Sequence, residues 1–159
     1  MTVDDILRSL DKLDGNCKWV WISGGEPALQ LDEVLGRALQ DAGYMVAVES
    51  NGTREFKEGA LNWVHHLTVS PKLPWEQTVV REAETLKLLF PHPNPLIRPE
   101  TFEGFSSPNR YLQPIEVRSD DGVLDLEVSQ QNVEHAMSRL YDLPGWRLSL
   151  QTHKYLGVA

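Results

Sequence analysis

Apolar and polar residues follow one another along the first 72 positions in a pattern that predicts strands alternating with helices. Apolar residues at helical spacing predict helices over positions 3–13 and 29–42. Short apolar runs predict strands over 18–22, 44–48 and 63–69, and each of these runs stops at a polar loop. Because strand, loop and helix recur three times, we expect a parallel sheet with crossover helices.

The two predicted helices each carry one apolar stripe. Thr2 is expected to cap the first helix, and Gly43 to end the second. The residues expected to face the core are Ile6, Leu7, Leu10 and Leu13 in the first helix, and Leu31, Val34, Leu35, Ala38 and Leu39 in the second.

The second half of the chain is less regular. A helical turn is predicted at 81–84 and a strand at 85–90, before a proline-rich loop at 91–99. A strand at 111–112 is followed by a helix over 130–141, capped by Ser129, and by a strand over 146–150. The helix should turn Val133, Met137 and Leu140 inward. No repeat or linker divides the chain, so residues 1–159 are expected to form a single domain.

Composition narrows the function classes. The net charge is −8 and the 15 basic residues are scattered, which argues against a nucleic-acid partner. No apolar run approaches the ~20 residues of a membrane span, and the first residues lack signal-peptide features, so we expect a cytoplasmic protein with no membrane partner. Cys17 is the one cysteine, which excludes an internal disulfide and a cluster held by this chain alone.

The segment Ser23-Gly24-Gly25-Glu26 carries the clearest chemical signal, because it follows an apolar run where a buried strand should end. Glycines let a ligand approach the backbone closely, and a carboxylate beside exposed amides can hold an ammonium group while the amides bind a carboxylate. This pattern favours an amino acid or a derivative of one as ligand. A simple strand-to-helix turn, with Pro27 in the first helical turn, explains the same residues.

Three further polar endings are expected at the same edge of the sheet: Glu49-Ser50-Asn51-Gly52-Thr53, Ser70-Pro71-Lys72 and Leu112-Gln113-Pro114. The tail from Trp146 to Gly157 contains Ser-Leu-Gln-Thr-His-Lys. In their order along the chain and in their residues, this tail and the motifs above resemble those of 7-carboxy-7-deazaguanine synthase. That family comprises radical S-adenosylmethionine enzymes of 7-deazapurine (queuosine-type) biosynthesis.

The resemblance implies an α/β fold, an incomplete (β/α) barrel of mostly parallel strands. It also implies S-adenosylmethionine, a 4Fe–4S cluster and Mg²⁺ as cofactors, and 6-carboxy-5,6,7,8-tetrahydropterin as substrate. In the family's reaction, a carbon–nitrogen lyase reaction, a 5′-deoxyadenosyl radical removes the C6 hydrogen of the pterin. The ring then contracts with loss of ammonia to give 7-carboxy-7-deazaguanine.

Carried across motif by motif, the resemblance assigns residues to two ligands. The S-adenosylmethionine residues would be Gly24, Gly25, Glu26, Glu49, Ser70, Pro71, Lys72, Gln113, Pro114, Ile115 and Glu116. The substrate residues would be Ser23, where the family usually has threonine, His153 and the C-terminal Ala159. Lys72 has a simpler explanation as a solvated lysine beside a turn, and His153 as a surface histidine. No residue is assigned to a metal.

The chain also departs from the family in the features that it lacks. It lacks the first barrel strand, the three-cysteine loop that binds the cluster and the Asp-Thr pair that helps bind Mg²⁺. We expect a fragment or a split-gene product whose cysteine loop is on a separate chain. A degenerate paralogue that binds S-adenosylmethionine or a pterin without radical chemistry, and a non-catalytic interaction module, are the alternatives. Because the family is commonly dimeric, the resemblance also allows a homodimer.

Overall fold

The computed structural model describes residues 2–13 and 15–152. The α-helices are α1 Val3–Leu10, α2 Glu33–Asp41 and α3 Leu126–Leu140. The strands are β1 Trp19–Ile22, β2 Met45–Ser50, β3 His66–Val69, β4 Thr85–Phe90, β5 Asn109–Pro114, β6 Val117–Arg118, β7 Leu124–Asp125 and β8 Trp146–Leu148. Short 3₁₀ turns lie at Pro27–Leu29, Ala60–Trp63, Trp75–Gln77 and Pro99–Phe102.

Six strands form one sheet in the order β1-β2-β3-β4-β5-β8, and every neighbouring pair is parallel. Sequential order is the order of a singly wound sheet, the arrangement found in (β/α) barrels. Among the described residues β1 and β8 are the two edges and do not pair, so the sheet stays open. The predicted α/β fold with mostly parallel strands is confirmed. Strands β6 and β7 form a separate antiparallel ribbon.

The two faces of the sheet differ in chemistry because side chains alternate along each strand. One face carries buried aliphatic residues such as Val48, Leu67, Leu88 and Leu112, and the helices pack against it. The other face, which we call the polar face, carries Trp21 and Glu49 in β1 and β2, His66 and Thr68 in β3, Thr85 and Lys87 in β4, and Asn109 and Tyr111 in β5. Side chains that could form hydrogen bonds or ion pairs with a ligand therefore lie on the polar face.

The helices begin and end where capping groups are available. Thr2 caps α1 as predicted, in a reciprocal capping box with Asp5. The predicted helix over 29–42 is divided in two, because Glu26 caps a 3₁₀ turn and Asp32 caps α2. Ile6, Leu7, Leu10, Leu31, Leu35 and Leu39 face the core as expected, whereas the predictions for Leu13 and Val34 were wrong, since both are exposed.

The start of α3 is a further correction. Asp125, and not Ser129, is the N-cap, since Oδ1 of Asp125 accepts a hydrogen bond of 3.0 Å from the Val128 amide. The Ser129 hydroxyl lies inside the helix and accepts from the amide of Val117 at 3.0 Å. The inner face also differs, because Met137 is exposed and Ala136 is fully buried. Two polar residues four positions apart could each cap the helix, and contacts with β6 decide between them.

The remaining predictions, for two strands and a helical turn, differ in outcome. Strand β4 matches the prediction residue for residue, but the strand predicted at 63–69 begins only at His66, since Trp63 belongs to a 3₁₀ turn. No helical turn forms at 81–84, because Glu82 instead makes an isolated bridge with Ser106.

Replacing the N-cap of α3 is expected to reduce stability modestly. Asp125→Ala removes the hydrogen bond to Val128, so the free energy of unfolding should fall by about 1 kcal/mol in urea denaturation. Asp120→Ala serves as the control, since Asp120 is exposed in the ribbon turn. Equal effects of the two substitutions would contradict the cap assignment.

Candidate functional site

The parallel sheet brings the predicted polar segments to one edge. The segments from Ser23 to Glu26, from Glu49 to Thr53 and from Ser70 to Lys72 lie at the carboxyl ends of β1, β2 and β3. Gln113 and Pro114 end β5 at the same edge. Ligands of open α/β sheets bind at this edge, so the topology supports the predicted location.

Glu26 links the β1 loop to the β2 loop. Its carboxylate is 8% exposed and accepts three hydrogen bonds: from the Ser50 hydroxyl at 2.7 Å, the Asn51 amide at 2.8 Å and the Ala28 amide at 3.1 Å. The Ser50 oxygen also accepts from the amide of Gly52. A carboxylate offers about four acceptor positions, so Glu26 keeps roughly one for a ligand. Most of its hydrogen-bonding capacity therefore holds two loops together.

Gly24 and Gly25 both adopt left-handed backbone conformations, with φ of 79° and 52°. A Cβ at either position would meet no described atom within 4 Å, so open space lies beside both residues. Glycine is required here by the backbone conformation, since side chains strain a positive φ. The open space would allow a ligand to approach these amides.

Glu49 lies on the polar face in an ion pair that the sequence did not predict. Nζ of Lys87 lies 2.7 Å from one carboxylate oxygen and 2.8 Å from the other. Both side chains are largely shielded from water. Because β3 lies between β2 and β4, the pair spans the middle strand above Thr68, whose side chain is buried. Lys87 is separated from Glu49 by 38 positions, and no motif pointed to it.

Lys72 lies beside this ion pair. Its ammonium group donates to the Ser70 hydroxyl at 3.1 Å. Burial lowers the pKa of Lys72, while the nearby charge of Glu49 raises it and that of Lys87 lowers it further. Burial also lowers the pKa of His92, in the loop after β4, where the Asn94 amide donates to Nδ1. Both shifts favour the uncharged form of the side chain, because burial penalises its charge.

A cavity of about 530 Å³ opens at the ends of β5 and β8. Pro114, Ile115 and Glu116 line it, as do the ribbon, α3 and the segment after β8 through Leu124, Leu126, Ser129, Gln130, Val133, Ser149, Leu150 and Gln151. Asn132 donates to the carbonyl of Ile115 at 2.8 Å and thereby fixes this wall. The sequence named the first three residues, whereas Asn132 and the residues of β7 and α3 were missed because no local pattern marks them.

A second cavity of about 350 Å³, which we call the concave cavity, lies on the polar face. Lys87 lines it together with Trp21, His66, Thr68, Thr85, Asn109, Tyr111 and Ser149. His66 and Thr85 are hydrogen-bonded to each other at 3.1 Å. None of Ser23, Gly24, Gly25, Glu26, Glu49, Ser70, Pro71, Lys72 and Gln113 lines either cavity. His153 and Ala159 lie outside the described residues.

The described residues do not fit an iron–sulfur cluster. Cys17 is exposed before β1, and its thiol contacts the carbonyl of Trp19 at 3.7 Å. Within residues 2–13 and 15–152 no group of three or more His, Cys, Asp or Glu side chains could hold a metal ion. In the same part of the chain, no helix has the length and apolar character that crossing a membrane requires.

Solved structures support the fold. A crystal structure of QueE from Escherichia coli superposes with a TM-score of 0.59 over 95% of this chain and 64% of that chain. Its sequence identity of 22% makes this a likeness of fold. No protein-family model matches the chain.

Proteins of similar sequence identify the family. The chain is 40% identical over 141 residues to 7-carboxy-7-deazaguanine synthase of Bordetella pertussis, and 39% identical over 145 residues to that of Nitratidesulfovibrio vulgaris. It spans 60% and 61% of the lengths of these two relatives. It is 30% identical to the same-named protein of Bacteroides thetaiotaomicron, over 99% of this chain and 74% of that protein. The chain therefore belongs to the 7-carboxy-7-deazaguanine synthase family.

Proposed function

We propose that this chain supplies most of the binding surface of a 7-carboxy-7-deazaguanine synthase, a radical S-adenosylmethionine enzyme of the carbon–nitrogen lyase type. The substrate would be 6-carboxy-5,6,7,8-tetrahydropterin, and the product 7-carboxy-7-deazaguanine. The observation that carries the proposal is the Glu26 network, which joins the Gly24-Gly25 loop to the Asn51-Gly52 loop at the edge where α/β sheets bind ligands.

We propose the following arrangement of S-adenosylmethionine. Its amino-acid part would lie against Gly24, Gly25 and Glu26, where the backbone leaves open space. Its nucleoside part would lie toward Ser70 and Pro71 and along the wall made by Gln113, Pro114, Ile115 and Glu116. Ser23 would contact the pterin, and His153 and Ala159 stay predicted substrate residues. When bound, S-adenosylmethionine supplies the adenosyl group that radical chemistry requires.

The cluster and Mg²⁺ would need ligands that the described residues do not provide. We therefore propose that a separate segment or chain brings both of them to the site. A homodimer and a cytoplasmic location fit this proposal.

An activity assay on a chimeric protein would test the proposal. A chimera would join residues 1–159 to the part of the Bordetella pertussis relative that this chain does not match, and it would be assayed without oxygen for 7-carboxy-7-deazaguanine. We expect product from the chimera, with the intact relative as positive control. Saturable binding of S-adenosylmethionine without product would favour the alternative of a cluster-free binding protein.

The glycine loop allows a sharper binding prediction. Gly25→Ala places a methyl group in the open space beside the backbone, so calorimetry should show S-adenosylmethionine binding weakened about tenfold. Gly43→Ala is the matched control, because Gly43 also has a positive φ and a Cβ added there would meet no atom of the described residues within 4 Å, but it lies after α2. Equal effects of the two substitutions would indicate a general loss of stability and contradict the proposed position of the ligand.

A further inference from the structure

Residues 114–117, which we call the wall segment, leave the sheet at the carboxyl end of β5 and lead into the ribbon. Strand β8 holds β5 as far as Leu112, whose carbonyl accepts a hydrogen bond of 2.8 Å from the Ser149 amide. Strand β4 holds it further, since the Ile115 amide donates to the carbonyl of Phe90 at 3.0 Å. Beyond that amide, the path of the wall segment depends on contacts outside the six-stranded sheet.

Two side chains of α3 supply such contacts. Nδ2 of Asn132 donates to the Ile115 carbonyl at 2.8 Å, and Oγ of Ser129 accepts from the Val117 amide at 3.0 Å. The two residues are three positions apart, so they are neighbours on one face of the helix. A donor and an acceptor of α3 therefore meet an acceptor and a donor of the backbone, and this pairing fixes both the position and the direction of the wall segment.

Helix α3 is itself held against the sheet. Ala136, one helical turn after Asn132, is fully buried. The ring of His135 packs against the ring of Phe90, with the two centroids 4.9 Å apart. Phe90 thus contacts α3 through its side chain and the wall segment through its carbonyl. A shift of the wall segment would therefore disturb contacts with both β4 and α3.

The wall segment borders the cavity of about 530 Å³ through Pro114, Ile115 and Glu116. We propose that Asn132 and Ser129 are positioning residues for the nucleoside part of the ligand, because they fix the wall against which that part would lie. The inference rests on the proposed function, which places the nucleoside along this wall. Asn132 is not among the described residues that line the cavity, so it would act through the wall segment.

Separate binding of the two halves of S-adenosylmethionine distinguishes positioning from a general loss of stability. Calorimetry on the 159-residue chain would use 5′-methylthioadenosine for the nucleoside half and methionine for the amino-acid half. Asn132→Ala and Ser129→Ala should each weaken binding of 5′-methylthioadenosine about fivefold, as expected for one lost hydrogen bond, and leave methionine binding within about twofold. Ser129→Thr keeps the hydroxyl and should restore binding.

Two other residues of α3 provide matched controls. Gln131→Ala and Ser138→Ala alter exposed side chains of the same helix, so both variants should bind the two probes as the unsubstituted chain does. Equal weakening of both probes by Asn132→Ala would overturn the inference and leave the proposed function standing. Equal effects of Asn132→Ala and Gln131→Ala would do the same.

Hydrogen exchange tests the contacts without a ligand. Ser129→Ala removes the acceptor of the Val117 amide, so exchange of this amide, measured by NMR, should accelerate about tenfold while the rest of α3 keeps its protection. Unchanged exchange would overturn the inference, because other contacts would then hold the wall segment. If exchange changes as expected but the unsubstituted chain binds neither probe nor S-adenosylmethionine, the proposed function is contradicted, and the inference with it.

Discussion

Replacing Glu26 by alanine is expected to lower the free energy of unfolding by about 3 kcal/mol, one of the two largest effects that we predict. The substitution removes the acceptor for the Ser50 hydroxyl and for the amides of Asn51 and Ala28. A buried donor left without an acceptor costs roughly 1–3 kcal/mol, and water can satisfy only part of this set. Thermal unfolding should shift down by roughly 6–12 °C.

Two comparisons make the Glu26 prediction specific. Glu58→Ala is the matched control, since Glu58 is exposed and has no described contact, and it should change stability by less than about 0.5 kcal/mol. Glu26→Gln should be intermediate, because the amide nitrogen of glutamine would face the donating amide of Asn51 or the Ser50 hydroxyl. If Glu26→Ala proved as mild as Glu58→Ala, the carboxylate would not be joining the two loops.

Gly52→Ala is expected to have a similarly large effect, about 3 kcal/mol of destabilisation. Gly52 has a φ of 73°, which costs any other residue roughly 1–2 kcal/mol. Its Cβ would also lie 2.8 Å from Cγ1 of Val69 and 3.3 Å from Cγ2 of Thr78. The backbone cannot easily move away, since the Gly52 carbonyl accepts hydrogen bonds from the amides of Val79 and Val80.

A second glycine separates the two causes. Gly122 has a φ of 82°, but within the part of the chain that the structure describes a Cβ added there would meet no atom within 4 Å, so Gly122→Ala should cost only the backbone strain of about 1 kcal/mol. Urea denaturation of both variants measures the difference. Equal losses at the two positions would mean that Val69 and Thr78 relax freely and that the loop is not tightly packed.

These two predictions bear on function because the affected residues hold the proposed binding edge. Glu26 and Gly52 lie in loops that follow adjacent strands, and the Ser50 hydroxyl bonds to both. A loss of stability at either residue should therefore be accompanied by weaker S-adenosylmethionine binding. Glu26 thus acts largely on the shape of the site, in addition to the ligand contact that the sequence suggests.

The sequence by itself determined the parallel α/β fold, the Thr2 cap, strand β4 and the location of the polar segments at one edge of the sheet. These features follow from local patterns, since apolar runs, turn residues and the rules of strand connection need only neighbouring positions. The motifs also indicated the family, which the relatives confirm.

Only the tertiary structure decided which side chains meet. Ser50 and Asn51 reach Glu26 from 24 and 25 positions away, and Lys87 reaches Glu49 from 38. The choice of Asp125 over Ser129 as a cap likewise depends on Val117 in β6. Such contacts depend on strand register and on the face to which each residue points, and a one-residue slip would reverse that face. Local patterns carry no information about them.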